Sequence, residues 1–366
     1  MTISTPALRQ PLLAFAAIFL VIFVLSVYRT LPDIPYKTRR IPFGHEVEVR
    51  SSPRDDAANA TLGFHKLLAL SVRPSWRSRG LQAAANLTGL SFDIPKQSRN
   101  PDAFIDAFRE IGAGREGVVT PTLGSARAWV AHLDLLKYVV AAGLETAFIV
   151  EDDVDWDVRI KAQMQLVSDQ VRAYTGVAAN DTTPYGITAW DVLWLGHCGA
   201  TVDDDGSPLI AYLDASRCPT ENYVGWTTAF LAAYIPENYR ILQHAGQATV
   251  CTFGYGVTAR GAQKVINELG AGAGEAFDVH LSTRCREGAL RCLVVNPQLF
   301  HHYEPMPGDG GATSIIHVVN GDQREADESA FERRPGGTAN IVLSARCQAL
   351  FGTTCLRVPA GSVSWV

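Results

Sequence analysis

The sequence has no surplus of positive charge: its formal net charge is -5 and its pI lies near 6.0. Chains that grip nucleic acid through its phosphates display a basic patch or stripe, and none is visible here, so that class of partner is excluded. The seven cysteines contain no CxxC spacing, which argues against a cysteine-based zinc site. Gly254, Gly256 and Gly261 do not form a GxGxxG fingerprint, and no internal repeat is present. What the sequence does have is 366 residues, 47% of them hydrophobic, which is ample for a buried core.

One stretch lacks charge altogether, the seventeen residues from Leu12 to Tyr28. About 20 apolar residues at ~1.5 Å each cross a hydrocarbon core of ~30 Å, so residues 12–28 are read as a transmembrane signal anchor behind a short tail, 1–11. A cleaved signal peptide would end in a small-x-small site, which Ser26, Val27 and Tyr28 do not supply. Arg29, Lys37, Arg39 and Arg40 outnumber Arg9 and the amino terminus, and flanking charge alone would leave the large domain in the cytoplasm. Three sequons, at Asn59, Asn86 and Asn180, and cysteines free of metal spacing argue for the lumen instead. The expectation is a single-pass type II protein of the Golgi or endoplasmic reticulum membrane. Six cysteines can pair, with Cys285–Cys292 and Cys347–Cys355 the nearest couples.

Residues 29–60, with Pro32, Pro35, Pro42, Pro53 and the pair Ser51 and Ser52, read as an extended stem. Beyond it, strands alternate with helices: Lys66–Val72, a helix at 80–90 closed by Gly89, a helix over Ala126–Ala142 with Trp129, Leu133, Leu136 and Val140 on one stripe, and the strand Thr146–Val150. A polar helix near 158–174, the strand Asp191–Leu195 and a strand-to-helix unit at Gly254–Leu269, with Thr258 capping its helix, continue the pattern. Such alternation predicts an α/β fold, a mainly parallel sheet flanked by helices, over 61–302. Residues 303–366 read as a loop-rich extension, and 303–340 as either an acceptor-side lid or disordered chain.

Directly after the apolar strand come Glu151, Asp152, Asp153, Asp155 and Asp157. Two like charges ~4 Å apart repel by ~4 kcal/mol at an effective dielectric of ~20, so a cation is expected among them. The crevice beyond the carboxyl ends of parallel strands is where ligands bind, and a divalent ion bridging carboxylates to phosphates meets both conditions. A solvated turn or helix N-terminus is the competing account, strongest for Asp155 and Asp157.

Four segments resemble glycosyltransferase family 25, the lipopolysaccharide and collagen galactosyltransferase group, and its fungal membrane-anchored members in particular: Ala131, His132, Leu133; FIVEDDVDWD at Phe148–Asp157; WDVLWLGHCG at Trp190–Gly199; and GYGVTARGAQKVI at Gly254–Ile266. The resemblance spans residues 64 to 302 and implies a GT-A fold, a nucleotide-sugar donor with UDP-galactose foremost, a glycan or glycoprotein acceptor, and Mn2+ or Mg2+. It implies Asp153 as a metal ligand, with Glu151 and Asp152 at the donor and Arg73 in the donor-contacting arginine stretch. By their places in the sequence, Asp155 and His302 are further candidate metal ligands, and His132 and His197 further candidate donor contacts. Asp278 is the candidate general base, with Glu275 as its substitute, because inverting transfer needs an acceptor for the hydroxyl proton. His301 is a further candidate for the metal shell, and Cys198 is read as a disulfide or core thiol. One departure is that the arginine-rich stretch Arg73–Arg79 lacks the acid that relatives carry there. A catalytically silent lumenal glycan-binding or scaffold protein on the same fold is the alternative; a metal hydrolase would need a second cluster of His and Asp ligands that the sequence does not assemble.

Overall fold

The computed structural model describes residues 52–113, 118–202, 207–245, 248–305, 328 and 331–359. The expected tail, the anchor at 12–28, the stem as far as residue 51 and most of the expected lid lie outside the described residues. Among those described, no helix is long and apolar enough to cross a membrane.

The fold is mixed α/β around a mostly parallel central sheet. The chain enters through the short helix α1 (Pro53–Asp56), then β1 (Lys66–Leu70), α2 (Trp76–Thr88), β2 (Phe92–Asp93), α3 (Asp102–Glu110), α4 (Leu123–Ala141) and β3 (Thr146–Glu151). It continues with β4 (Val154–Trp156), α5 (Ile160–Thr175), β5 (Val192–Gly196), β6 (Leu209–Leu213), α6 (Thr228–Tyr234), β7 (Tyr239–His244), β8 (Gly254–Thr258) and α7 (Ala259–Leu269). Last come α8 (Phe277–Arg286), β9 (Cys292–Asn296), β10 (Phe300–Glu304), β11 (Gly337–Ala339), α9 (Ala345–Phe351) and β12 (Leu356–Arg357).

Strands β2, β1 and β3 pair in parallel, as do β5 and β9, whereas β8 runs antiparallel between β3 and β5. The reversal of β8 was not foreseen, because a strand's direction is set by partners distant in sequence. Its glycines have a packing reason: a Cβ at Gly254 would sit 2.9 Å from the Phe148 ring, and one at Gly256 2.6 Å from Phe64. Ala147, Phe148, Ile149 and Val150 are fully buried, because apolar layers cover both faces of β3. This double coverage is why β3 reads as an unbroken apolar run.

The helices largely follow their sequence signals. Helix α4 begins at the Thr122 cap, whose hydroxyl accepts from Ser125 N–H, and buries Trp129, Leu133 and Leu136. Val140 falls off that stripe at 37% exposed, and Val139 takes the inward place. Helix α2 starts at Trp76 rather than 80, because Ser75 and Ser78 form a capping box, and Gly89 ends it at φ 63°.

Two boundaries move. Residues 52–60 are not stem: α1 is capped by Ser52, Arg54 pairs with Asp169 of α5, and Ala57 is fully buried. Nor is 337–357 a loop-rich appendage, since β11 pairs with β10, α9 packs on α2, and Trp76, Tyr303, Phe331, Cys347 and Cys355 share a small core. Three disulfides are present: the two foreseen, Cys285–Cys292 and Cys347–Cys355, and Cys198–Cys251, with Cys218 buried as a free thiol.

Candidate functional site

Because β1, β2 and β3 run the same way and β8 runs against them, the loops after the first three and the residues before Gly254 meet at one sheet edge. There they enclose a cavity of about 1070 Å³ lined by Arg73, Arg77, His132, Glu151, Asp152, Asp153, Thr252, Asp278 and His302, among others. Of the expected site residues, His197, Asp155, Glu275 and His301 are not in its wall.

Glu151 is the last residue of β3, and its N–H donates to the Phe253 carbonyl at 3.3 Å, which fixes the start of the acidic turn. His302 arrives from another direction: β10 pairs antiparallel with β4, setting His302 opposite Val154. Its Nε2 lies 3.0 Å from Asp153 Oδ2, an oxygen that also accepts from Arg77 Nη1. Among the described residues, Glu151, Asp153 and His302 form a group able to share a metal ion, with one ligand atom from each lying within 4.8 Å of the others. The residues fit a cation, because Asp153 Oδ1 is buried and has no hydrogen-bond partner.

The electrostatics follow from this packing. Burial, reinforced by the neighbouring Asp153 charge, pushes the Glu151 carboxyl up to about 7 and that of Asp152 up to about 6. Burial opposes ionisation of Asp153 as well, but His302 and Arg77 prevail and hold it well below the usual carboxylate range. In the same way burial works against the His302 imidazolium, and the Asp153 charge overrides it, raising the group to about 9. Asp152 lies beside this set: Ser71 Oγ donates to it at 2.6 Å and Arg77 Nη1 stands 3.7 Å away.

The remaining acids turn elsewhere. Asp155 was expected to bind metal, but it is fully buried and accepts from Ser344 Oγ, from Arg346 N–H at 3.0 Å and from Trp156 N–H at 2.9 Å. Its carboxylate is taken up by the start of α9 and not by the cavity. Asp157 grips Arg159 at 2.7 Å and 2.8 Å and accepts from Leu343 N–H at 3.0 Å. Much of the crowded negative charge is thus met by protein donors, and the demand for a cation narrows to Glu151 and one oxygen of Asp153.

His197, expected at the donor, is fully buried and does not line the cavity; its Nε2 meets the Val295 carbonyl at 3.0 Å, and burial lowers its pKa to about 4. His132 does line the cavity, but both nitrogens are engaged, Nδ1 with Tyr255 Oη at 3.0 Å and Nε2 with Thr252 Oγ1 at 3.4 Å. Its ring stacks on Phe277 at 4.6 Å, and burial keeps it neutral with a pKa lowered to about 3. It therefore orients Thr252, whose hydroxyl reaches Glu151 Oε1 at 3.4 Å. His301 is likewise neutral, lowered to about 3 by burial, with its ring against Phe253.

Asp278 sits in the first turn of α8 and lines the cavity, with Oδ2 accepting from Cys251 N–H at 2.7 Å. Cys251 has a φ of 67° and is held by its bond to Cys198, so the disulfide steadies the donor that orients Asp278. Arg73 lines the same wall.

Sequence reasoning missed Arg77 and Arg346. The first was visible only as one arginine among several, and the second stands in SARCQALF with no acidic neighbour to mark it. A scan of protein-family models and a search of curated proteins find no match to this chain.

Proposed function

We propose that this chain is a metal-dependent, inverting glycosyltransferase that moves a hexose from a nucleotide-sugar, UDP-galactose being the implied donor, to a glycan or glycoprotein acceptor. The observation that carries the reading is the partnerless buried Asp153 Oδ1 beside Glu151 and His302, at the carboxyl end of a central strand in a cavity of about 1070 Å³. Small-molecule sites occupy roughly 300–1,000 Å³, so there is room for a nucleotide-sugar. The resemblance implies Mn2+ or Mg2+, both ions that carboxylate oxygens such as those of Glu151 and Asp153 suit. When bound, the ion supplies charge stabilisation for the departing diphosphate.

The chain's own residues divide the remaining work. Arg77 and Arg73 present guanidinium groups on the wall where phosphate charge would lie. Asp152, held by Ser71, contacts the donor beside the triad. Asp278 takes the proton of the acceptor hydroxyl as that oxygen bonds to the anomeric carbon and the bond from that carbon to the diphosphate breaks. Three disulfides support a lumenal setting.

The test is transfer or donor hydrolysis by the full chain, with and without Mn2+. Asp153→Asn is expected to lower turnover by roughly 10²–10³, the usual effect of losing one charge-stabilising group, and Asp278→Asn to lower kcat while leaving donor affinity near wild type. Turnover unaffected by EDTA would end the metal-dependent reading. One observation favours a silent glycan-binding protein instead: Arg77 and His302 already neutralise Asp153 without an added ion. That reading predicts a thermal shift with nucleotide-sugar but no product.

A further inference from the structure

We propose that Arg346 is the positioning residue of the metal triad, a role that rests on the metal reading above. Arg346 lies in α9 and is fully buried, yet its guanidinium donates to carbonyls rather than to carboxylates. Nη2 donates to the carbonyls of Asp152 at 2.9 Å and Val154 at 3.1 Å, and Nη1 to that of Arg77 at 3.0 Å. Its own N–H donates to Asp155 Oδ1 at 3.0 Å, and its Cζ sits 5.2 Å from the centre of the Tyr303 ring.

The Asp152 carbonyl lies in the peptide plane just before Asp153, and the plane just after it is held by Tyr303 N–H, which donates to the Asp153 carbonyl at 2.9 Å. Arg346 thus fixes one of the two planes that set the direction of the Asp153 side chain, holds the next carbonyl along at Val154, and through the Arg77 carbonyl holds the residue that shares the Asp153 carboxylate. One planar fork thereby registers the acidic turn against α2, which a flexible ammonium could not do at three carbonyls at once. Asp155 belongs to the same device, since it anchors the start of α9.

Gly80 supplies an independent sign. It stands in the interior of α2, where glycine is a poor helix former relative to alanine. A Cβ there would lie 2.9 Å from Arg346 Cζ and closer still to Nη1. The helix forgoes a better residue so that the guanidinium can reach the turn.

Isothermal titration of Mn2+ into the full chain tests this, comparing wild type with Arg346→Lys and Gly80→Ala and recording thermal unfolding on the same samples. Partners that orient metal ligands typically change affinity by about 10- to 100-fold, and a loss in that range is expected in both variants at temperatures where they remain folded. Gly80→Ala keeps every triad side chain and carries the test if Arg346→Lys does not fold. A folded variant that unfolds earlier but binds Mn2+ within about twofold of wild type would overturn the positioning role, because a purely structural arginine affects stability alone. Wild-type protein that binds no Mn2+ would remove the triad reading itself, and this role with it.

Discussion

At the scale of single residues, the buried histidines make a prediction separate from catalysis. His197 is held neutral by burial, with a pKa lowered to about 4 against an ordinary 6.5. The unfolded chain takes up that proton near pH 6.5 and the folded chain does not, so this stability is present above pH 6.5 and is lost as pH falls toward 4. His197→Gln, which keeps a donor for the Val295 carbonyl, should reduce the pH slope of unfolding free energy between pH 6 and 4.5 by about 1.4 kcal/mol per pH unit. Urea midpoints across that range measure it, and an unchanged slope would mean that His197 is already protonated in the folded chain. The same residue shows where sequence reading ran out. His197 follows a strand next to Cys198, and only the three-dimensional fold reveals that its ring is fully buried against the Val295 carbonyl. Asp155 and Asp153 look alike in the sequence, and what separates them is Ser344 and Arg346, more than 180 positions away.

At the scale of elements, the Cys198–Cys251 bond links the end of β5 to the approach to β8 and closes 53 residues. Chain-entropy reasoning assigns about 4 kcal/mol to a loop of that length. The double variant Cys198→Ser, Cys251→Ser should therefore unfold at lower denaturant concentration. Because Cys251 N–H orients Asp278, kcat should fall more than donor affinity. Equal turnover in the variant would dissociate the disulfide from the base. Most elements were legible in advance, and for a clear reason: β3 is apolar on both faces, α4 has a helical stripe, and Gly89 and Thr258 mark ends by local chemistry, whereas the Ser75 and Thr122 caps went unread and their helices begin earlier than the expected 80 and 126. The reversal of β8 and the return of 337–357 to the sheet were not legible, because pairing partners leave no local trace.

At the scale of the whole molecule, a site built from several chain segments should couple ligand binding to global stability. Glu151, Asp153 and His302 come from two strands and the turn between β3 and β4, and none is assembled in the unfolded chain. Mn2+ at 100 times its Kd is expected to add about 2.7 kcal/mol to the unfolding free energy. A rise in Tm on adding Mn2+, reversed by EDTA and absent in Asp153→Asn, checks this by calorimetry; an equal rise in that variant would place the ion elsewhere. The assembly also has a temporal side. Bonds from Ser344 and Arg346 to the turn at 152–155 join positions 189 to 194 residues apart. At about 5–20 residues per second, a ribosome needs roughly 10–40 s to cover that distance. For that interval the emerging polypeptide holds its acidic turn without the arginine that orders it. A transcript broken before codon 344 would encode a product with most of its sheet and every proposed metal ligand, yet with the metal grip unformed.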